Sequence, residues 1–243
     1  MSVTYATILA GGEGLRFGID ESGLPKQFSK VSGKTLLELS VEAFNTSEVV
    51  DYIVVVTNER YVKVTNQIIQ NQRFGKLVSI IPGGKTRFES SFQGLRACGY
   101  HAENNEINIA ECKVLIHDAV RAFVNEEVIA NVHKKLLTAD AVQPIVPVNE
   151  TLVQRVGRSW ITQNRDDFAT VQTPQGFHFS KIYEAYQHSI KSPTSSWTPT
   201  DDISVMQEYA KDAVIEVTSG DHRNRKVTYP EDLPEELLQP LDK

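Results

Sequence analysis

A glycine-rich turn, an arginine and a lysine follow the first apolar segment of the chain: Leu9-Ala10-Gly11-Gly12-Glu13-Gly14-Leu15-Arg16-Phe17-Gly18, then Leu24-Pro25-Lys26-Gln27-Phe28. Gly11, Gly12 and Gly14 have no Cβ to hold backbone N–H groups away from an anion, and successive N–H groups in a turn make an anion-binding concavity. Arg16 adds a fixed planar charge and Lys26 a mobile one. This set suits attack at a nucleotide phosphorus, where negative charge spreads over the non-bridging oxygens. Each prepositioned donor there is worth about 3–4 kcal/mol of barrier.

Two familiar phosphate motifs do not fit. In a dinucleotide-binding G-x-G-x-x-G, Phe17 would stand where the third glycine belongs, which prevents close packing of helix on strand. Gly33-Lys34-Thr35 and Gly84-Lys85-Thr86 end like a P-loop, but Phe28 and Ser79 occupy the positions of its first glycine.

The elements that must carry these residues show an alternating rhythm. An unbroken apolar run over residues 3–9 predicts a buried parallel strand. Helical patterns follow over residues 35–44, 61–70 and 86–96, with strands at 52–56, 78–81 and 114–116 between and after them. This order implies an α/β fold: a mostly parallel, Rossmann-like sheet sandwiched by helices, with ligands bound outside the carboxyl ends of its strands. Gly11 to Arg16, Gly83-Gly84 and His117-Asp118 all fall at such ends. After a helix over residues 125–138, the segments 141–147, 151–156 and 168–172 are extended with no helix between them, which predicts hairpins reaching out of the sheet. Leu152, Val153, Val156, Trp160 and Ile161 on that arm need a cover, and a homodimer would supply one. Helices return over residues 179–189 and 201–209, the latter capped by Thr200 and Asp201. A surface loop spans 191–199, and a last strand covers 214–218.

With 243 residues, 40% of them hydrophobic, the chain suffices for one domain, 1–243, with residues 141–175 as a β-arm and dimerisation region. A net charge of −6 argues against nucleic-acid partners, so positive charge must be gathered locally. Arg16, Lys26, Arg87, Arg121, Arg165 and Lys226 are the candidates, with Mg²⁺ supplying the remainder. No apolar run approaches the roughly 20 residues of a membrane span, and the start resembles no signal peptide, which predicts a cytoplasmic protein. Cys98 and Cys112 have no metal-ligand spacing and read as reduced thiols.

The ordered set L-A-G-G-x-G-x-R, P-K-Q-F, G-G-x-x-R-x-x-S, H-D-A-V-R, Q-T-P-Q-G-F, T-D-D and N-x-K-V-T, spread over residues 6–233, resembles the cytidylyltransferases that make CDP-linked polyols. Those enzymes act on 2-C-methyl-D-erythritol 4-phosphate in isoprenoid synthesis, or on ribitol 5-phosphate in teichoic acid and capsule synthesis. The resemblance implies CTP over the glycine loop. Ala10, Gly11, Gly84 and Ser90 would read cytosine, and Gly12, Gly14, Arg16 and Lys26 would hold the triphosphate. It also implies that Asp118, Arg121, Thr151, Arg165, Thr173, Thr200 and Lys226 surround the polyol phosphate, with Thr151 and Arg165 coming from the arm. Arg16, Lys26 and Lys226 are then the catalytic cations, and Asp118 is the acidic group nearest both CTP and Mg²⁺. His117 reads as structural, because an acceptor phosphate is already an anion and needs no general base.

Several positions depart from the family pattern: Phe17, the long segment from Gly18 to Gly23, Ala122 after Arg121, and Arg225 before Lys226. For the acceptor, the L-A-G-G opening, P-K-Q-F, H-D-A-V-R and Gly83-Gly84-Lys85-Thr86-Arg87 lean the reading to ribitol or ribulose 5-phosphate. Any ribulose phosphate reduction would need a separate reductase. The segment 168–175 and Thr200-Asp201-Asp202 point instead to 2-C-methyl-D-erythritol 4-phosphate. A sugar-1-phosphate nucleotidyltransferase shares the opening loop but not Q-T-P-Q, and a non-catalytic nucleotide-binding protein on the same fold is the alternative of another class.

Overall fold

The computed structural model describes residues 2–13, 23–70, 72–192 and 199–233. Its first strand, β1 (Thr4–Ala10), is buried along its whole length, as a central strand covered on both faces must be. A short hairpin, β2 (Lys30–Val31) and β3 (Lys34–Thr35), leads into α1 (Leu36–Thr46), which starts from a reciprocal cap between Thr35 and Glu38. Then come β4 (Tyr52–Thr57), α2 (Val62–Gln70), β5 (Leu77–Pro82), α3 (Arg87–Asn104) and β6 (Lys113–Asp118). β5, β4, β1 and β6 lie side by side and parallel. Their register brings Ala10 beside Thr57, Thr57 beside Pro82, and Leu9 beside Asp118, so all four strands end along one edge. The chain runs outward from β1 through β4 to β5 and then returns to the other side of β1 with β6. That reversal opens a crevice at the strand ends.

Alternation along β1 assigns its side chains to two cores. Ala6, Ile8 and Ala10 join Leu37, Phe44, Ile69, Ile129 and Val132 on the face covered by α1, α2 and α4 (Glu126–Lys135). Tyr5 and Leu9 join Leu95, Cys98, Ile182, Tyr186 and Met206 on the face covered by α3, α5 (Phe179–Lys191) and α6 (Asp202–Tyr209). Gly94 lets α3 lie close against the sheet, since a Cβ there would run into the methyls of Thr7 and Val56. α3 is also longer than the pattern suggests, because Cys98 and Ala102 extend its buried face.

The second half corrects the expected arm. β7 (Ala141–Pro147) and β10 (Ala169–Val171) belong to the main sheet, where they pair antiparallel, and β12 (Ile215–Ser219) lies parallel to β7. β11 (Gln175–His178), which its glutamine and glycine disguise, fits antiparallel between β6 and β7. Among the described residues of this half, β8 (Val153–Val156) and β9 (Ser159–Thr162) stand apart as a hairpin, exposed at every residue. Asp201 caps α6 as expected, while Thr200 lies one residue outside. Both cysteines are free and buried. Most of the loop expected over 191–199 lies outside the described residues.

His117, at the end of β6, is fully buried and holds this edge together. The Arg121 carbonyl can only accept, so His117 Nε2 donates to it (3.2 Å), which leaves Nδ1 of the neutral ring to accept from the Thr173 hydroxyl (3.0 Å), whose oxygen accepts in turn from Asp118 N (3.1 Å). Burial, outweighing the nearby Asp118, lowers the imidazole pKa from 6.5 to about 3. The ring is therefore neutral when folded and takes a proton only on unfolding as the pH falls below 6.5. Its effect on stability is flat above pH 6.5 and increasingly unfavourable from there down to about pH 3. Denaturant titrations should show wild type losing about 2–3 kcal/mol more than His117→Gln between pH 7 and 4.5. Parallel profiles would mean that this ring is not the acid-sensitive group.

Candidate active site

A cleft of about 760 Å³ opens at the carboxyl ends of β1, β4, β5 and β6, within the size range of small-molecule sites. Ala10, Gly11, Gly12, Lys26, Gly84, Ser90, Asp118 and Lys226 all line it. The fold thus gathers residues as far apart in the chain as Ala10 and Lys226 that the sequence assigned to one site. Gly14 and Arg16 lie outside the described residues.

The glycine loop is clamped from behind by a residue to which the sequence reading gave no role. Gln27 is buried, and its Nε2 donates to both the Ala10 carbonyl (2.8 Å) and the Gly12 carbonyl (2.9 Å). A buried amide must find partners. Here they are the carbonyls of the loop, so the buried Gln27 fixes the direction in which that backbone faces. On the opposite wall, Thr86 and Glu89 cap α3 reciprocally, and Ser90 Oγ donates to the Thr86 carbonyl (2.9 Å) while accepting from Gly84 N (3.2 Å). Gly83 has to be glycine for this arrangement, because a Cβ there would sit 2.6 Å from Ser90 Oγ.

Charge is concentrated on the floor. Asp118 Oδ1 accepts from Arg87 Nε (3.2 Å) and Oδ2 from Lys226 Nζ (2.7 Å). Burial alone would raise the pKa of this carboxyl, but Arg87 and Lys226 outweigh it and hold Asp118 well below the usual carboxylate range. Arg87 also reaches Asp202, with Nη1 2.8 Å from Oδ2. Burial opposes the guanidinium charge, yet the two carboxylates more than restore it and push its pKa above the usual value. Lys26, 8% exposed, donates to the Val227 carbonyl at 2.7 Å, which ties the turn Lys26–Phe28 to the segment carrying Lys226.

Beside the cleft lies a second hollow of about 300 Å³, lined by Arg121, Thr170, Gln172, His222, Arg225 and Lys226 among others. Arg121 is anchored through Nη1 to the Asn224 carbonyl (3.0 Å) and through Nη2 to the Val171 carbonyl (3.1 Å), and its buried Nε has no partner. Lys226 lines both spaces.

Other expected residues are placed differently. The Thr173 hydroxyl is committed to Asp118 N and His117, so in this structure it shapes the strand end. Thr151 and Arg165 are exposed on either side of the β8–β9 hairpin, with Arg165 Nη1 donating to the Asn149 carbonyl, and neither lines the cleft or the hollow. Thr200 is exposed just before the α6 cap and lines neither space. Arg87 was legible as a charge but not as the bridge between two carboxylates. Asp202 stands in the T-D-D motif without a role of its own in the sequence, and Tyr186 carries no signal there.

A cleft of these dimensions, walled by glycine backbone, floored by Arg87 and Lys226 on one carboxylate and lined also by Lys26, suits a nucleoside triphosphate. The model of the IspD family, 2-C-methyl-D-erythritol 4-phosphate cytidylyltransferase, matches residues 4–236. An enzyme of that description from Thermobifida fusca is 36% identical over 234 residues, covering 94% of this chain and 89% of the relative. One from Clostridium botulinum (strain Okra) is 33% identical over 245 residues, covering 99% and 100%. Among solved structures, the 4-diphosphocytidyl-2C-methyl-D-erythritol synthase of Anaerococcus prevotii superposes with a TM-score of 0.78 at 26% identity, covering 95% of this chain and 92% of that one. The corresponding cytidylyltransferase of Thermus thermophilus gives 0.69 at 26% identity, covering 96% and 95%. A match that spans the glycine loop, the charged floor and the arm alike leaves one assignment: the chain belongs to the 2-C-methyl-D-erythritol 4-phosphate cytidylyltransferase family and is a CTP-dependent nucleotidyltransferase.

Proposed function

We propose that the protein transfers CMP from CTP to 2-C-methyl-D-erythritol 4-phosphate and releases pyrophosphate. The observation that carries the transfer is the position of Lys226, shared between the cleft and the basic hollow beside Arg121. A triphosphate in the first and a phosphate monoester in the second would meet across one ammonium group. The acceptor is supported by the names of the relatives, which outweigh the leaning to a pentitol phosphate. Part of that leaning drew on Lys85, which lines the cleft proposed for CTP and not the hollow proposed for the acceptor.

The acceptor phosphate is a dianion near neutral pH. The chain therefore has to align it with the α-phosphorus and offset repulsion between anions, without removing a proton. Lys26, Lys226 and Arg87 supply charge, the Gly11-Gly12 backbone supplies N–H donors, and Arg16 is assigned to the triphosphate by resemblance alone. Ala10, Gly11, Gly84 and Ser90 offer backbone and hydroxyl groups to cytosine, and Arg121 offers its guanidinium to the acceptor. Among the described residues no three His, Cys, Asp or Glu side chains gather as a metal cage. That fits Mg²⁺ held by Asp118 together with substrate phosphates, since this ion commonly takes one or two carboxylates and retains waters. When bound, it would neutralise part of the triphosphate charge.

The exposed Val153, Val156, Trp160 and Ile161 support a homodimer built on the hairpin, in which Thr151 and Arg165 serve the partner's acceptor site. Replacing Trp160 and Ile161 together by glutamate should convert dimer to monomer in sedimentation and raise the acceptor KM at least about tenfold, a loss of roughly 1.4 kcal/mol. An unchanged sedimentation coefficient would remove the hairpin from the interface.

Pyrophosphate release, measured with CTP against ATP, GTP and UTP and with 2-C-methyl-D-erythritol 4-phosphate against ribitol and ribulose 5-phosphates, tests the acceptor directly. Turnover is expected for CTP with the methylerythritol phosphate, and turnover confined to a pentose-derived phosphate would overturn the proposal. In the same assay Lys26→Ala should lower kcat by about 10²–10³ with the circular dichroism spectrum retained. Near-wild-type kcat would take Lys26 out of the catalytic set.

A further inference from the structure

We propose that Asp202 is a positioning residue for the transfer reaction: remote from both substrate spaces, it orients Arg87 and through Arg87 fixes the carboxylate of Asp118. Asp202 is fully buried at the start of α6 and lines neither the cleft nor the hollow. Arg87, one residue after the Thr86 cap of α3, is part of the cleft wall. Its guanidinium is held at two vertices, by Nε to Asp118 Oδ1 at 3.2 Å and by Nη1 to Asp202 Oδ2 at 2.8 Å. A planar group pinned at two corners by carboxylates from β6 and α6 can no longer pivot about its Nε contact.

Asp202 is in turn held from behind. Tyr186 Oη donates to its Oδ1 at 2.6 Å, and its backbone N donates to Gln175 Oε1 at 3.1 Å. Tyr186 is itself fixed by stacking on Phe92 and packing against Phe88. Asp202 Oδ2, the oxygen not bound by Tyr186, is the one paired with Arg87.

The energetics favour orientation over stability as the reason for this residue. Burying a carboxylate costs several kcal/mol, and buried ion pairs often add nothing over apolar packing of the same volume. What the pair supplies is direction. With Oδ1 of Asp118 committed to a fixed Arg87, Oδ2 is left to Lys226, the residue that faces both substrates. Removing the charge of Asp202 would let Arg87 swing toward the triphosphate or fold onto Asp118, disturbing the group nearest the reacting centre while leaving the cytosine wall intact.

The inference rests on CTP-dependent transfer in this cleft. Its test runs with whichever acceptor phosphate wild type turns over, so a failed acceptor assignment and a failed positioning role give different results. The experiment is a double-mutant cycle of Asp202→Asn, Arg87→Met and the two combined, with kcat and the CTP KM measured for each. Asp202→Asn retains an acceptor for the Tyr186 hydroxyl. It should lower kcat about tenfold or more, change the CTP KM less than about threefold, and have less than about a twofold effect once Arg87 is Met. Tyr186→Phe, which keeps the ring contacts, should lower kcat in the same direction and carries the test if Asp202→Asn does not fold. A kcat unchanged in the folded variants, or an equal loss with and without Arg87, would overturn the proposal.

Discussion

The carboxylate of Asp118 is the point on which this architecture turns. It sits at the end of a buried strand, where an isolated negative charge would be intolerable, and it survives there because α3 brings Arg87 and the segment after β12 brings Lys226. Those same cations are what a polyphosphate needs. In the proposed reading, the ligand-binding charge is stored in the protein as internal ion pairs, so carboxylates offset the cations that face the cleft.

Geometry around that carboxylate is supplied by neutral hydrogen bonds whose direction is unambiguous. Gln27 clamps the carbonyls of the glycine loop, Thr173 and the neutral His117 hold the turn after β6, and Ser90 fastens the Gly84 turn to α3. Each of these buried side chains has its hydrogen bonds made within the protein, so the walls are preorganised, the condition under which fixed donors stabilise developing charge most effectively. Lys26 is the exception in kind. Its ammonium rests on the Val227 carbonyl, and that anchor couples the N-terminal turn to the strand-end segment that carries Lys226.

Much of the fold could be read along the chain because it depends on local periodicity. The seven-residue burial of β1, the capped starts of α1 and α3, and the alternation of strands with helices are all written in neighbouring residues. β11 escaped because a strand of four residues containing Gln175 and Gly176 has no periodic signal; close packing of Gly176 against Val132 and Leu136 makes it a strand. The arm was drawn too wide for a related reason. Extended segments look alike in sequence whether they join the main sheet, as β7 and β10 do, or leave it, as β8 and β9 do.

The amino-acid sequence by itself determined the chemistry: a glycine loop without Cβ atoms, cations spaced to follow it, and an acidic residue at the end of the fourth parallel strand, since these follow from residue type and local order. Tertiary structure alone decided the wiring. That Arg87 would bridge Asp118 to Asp202, that Lys226 would stand between two hollows, and that the Thr173 hydroxyl would turn inward are consequences of packing elements far apart in the chain, because a side chain's partner is set by what the fold brings within about 3 Å of it.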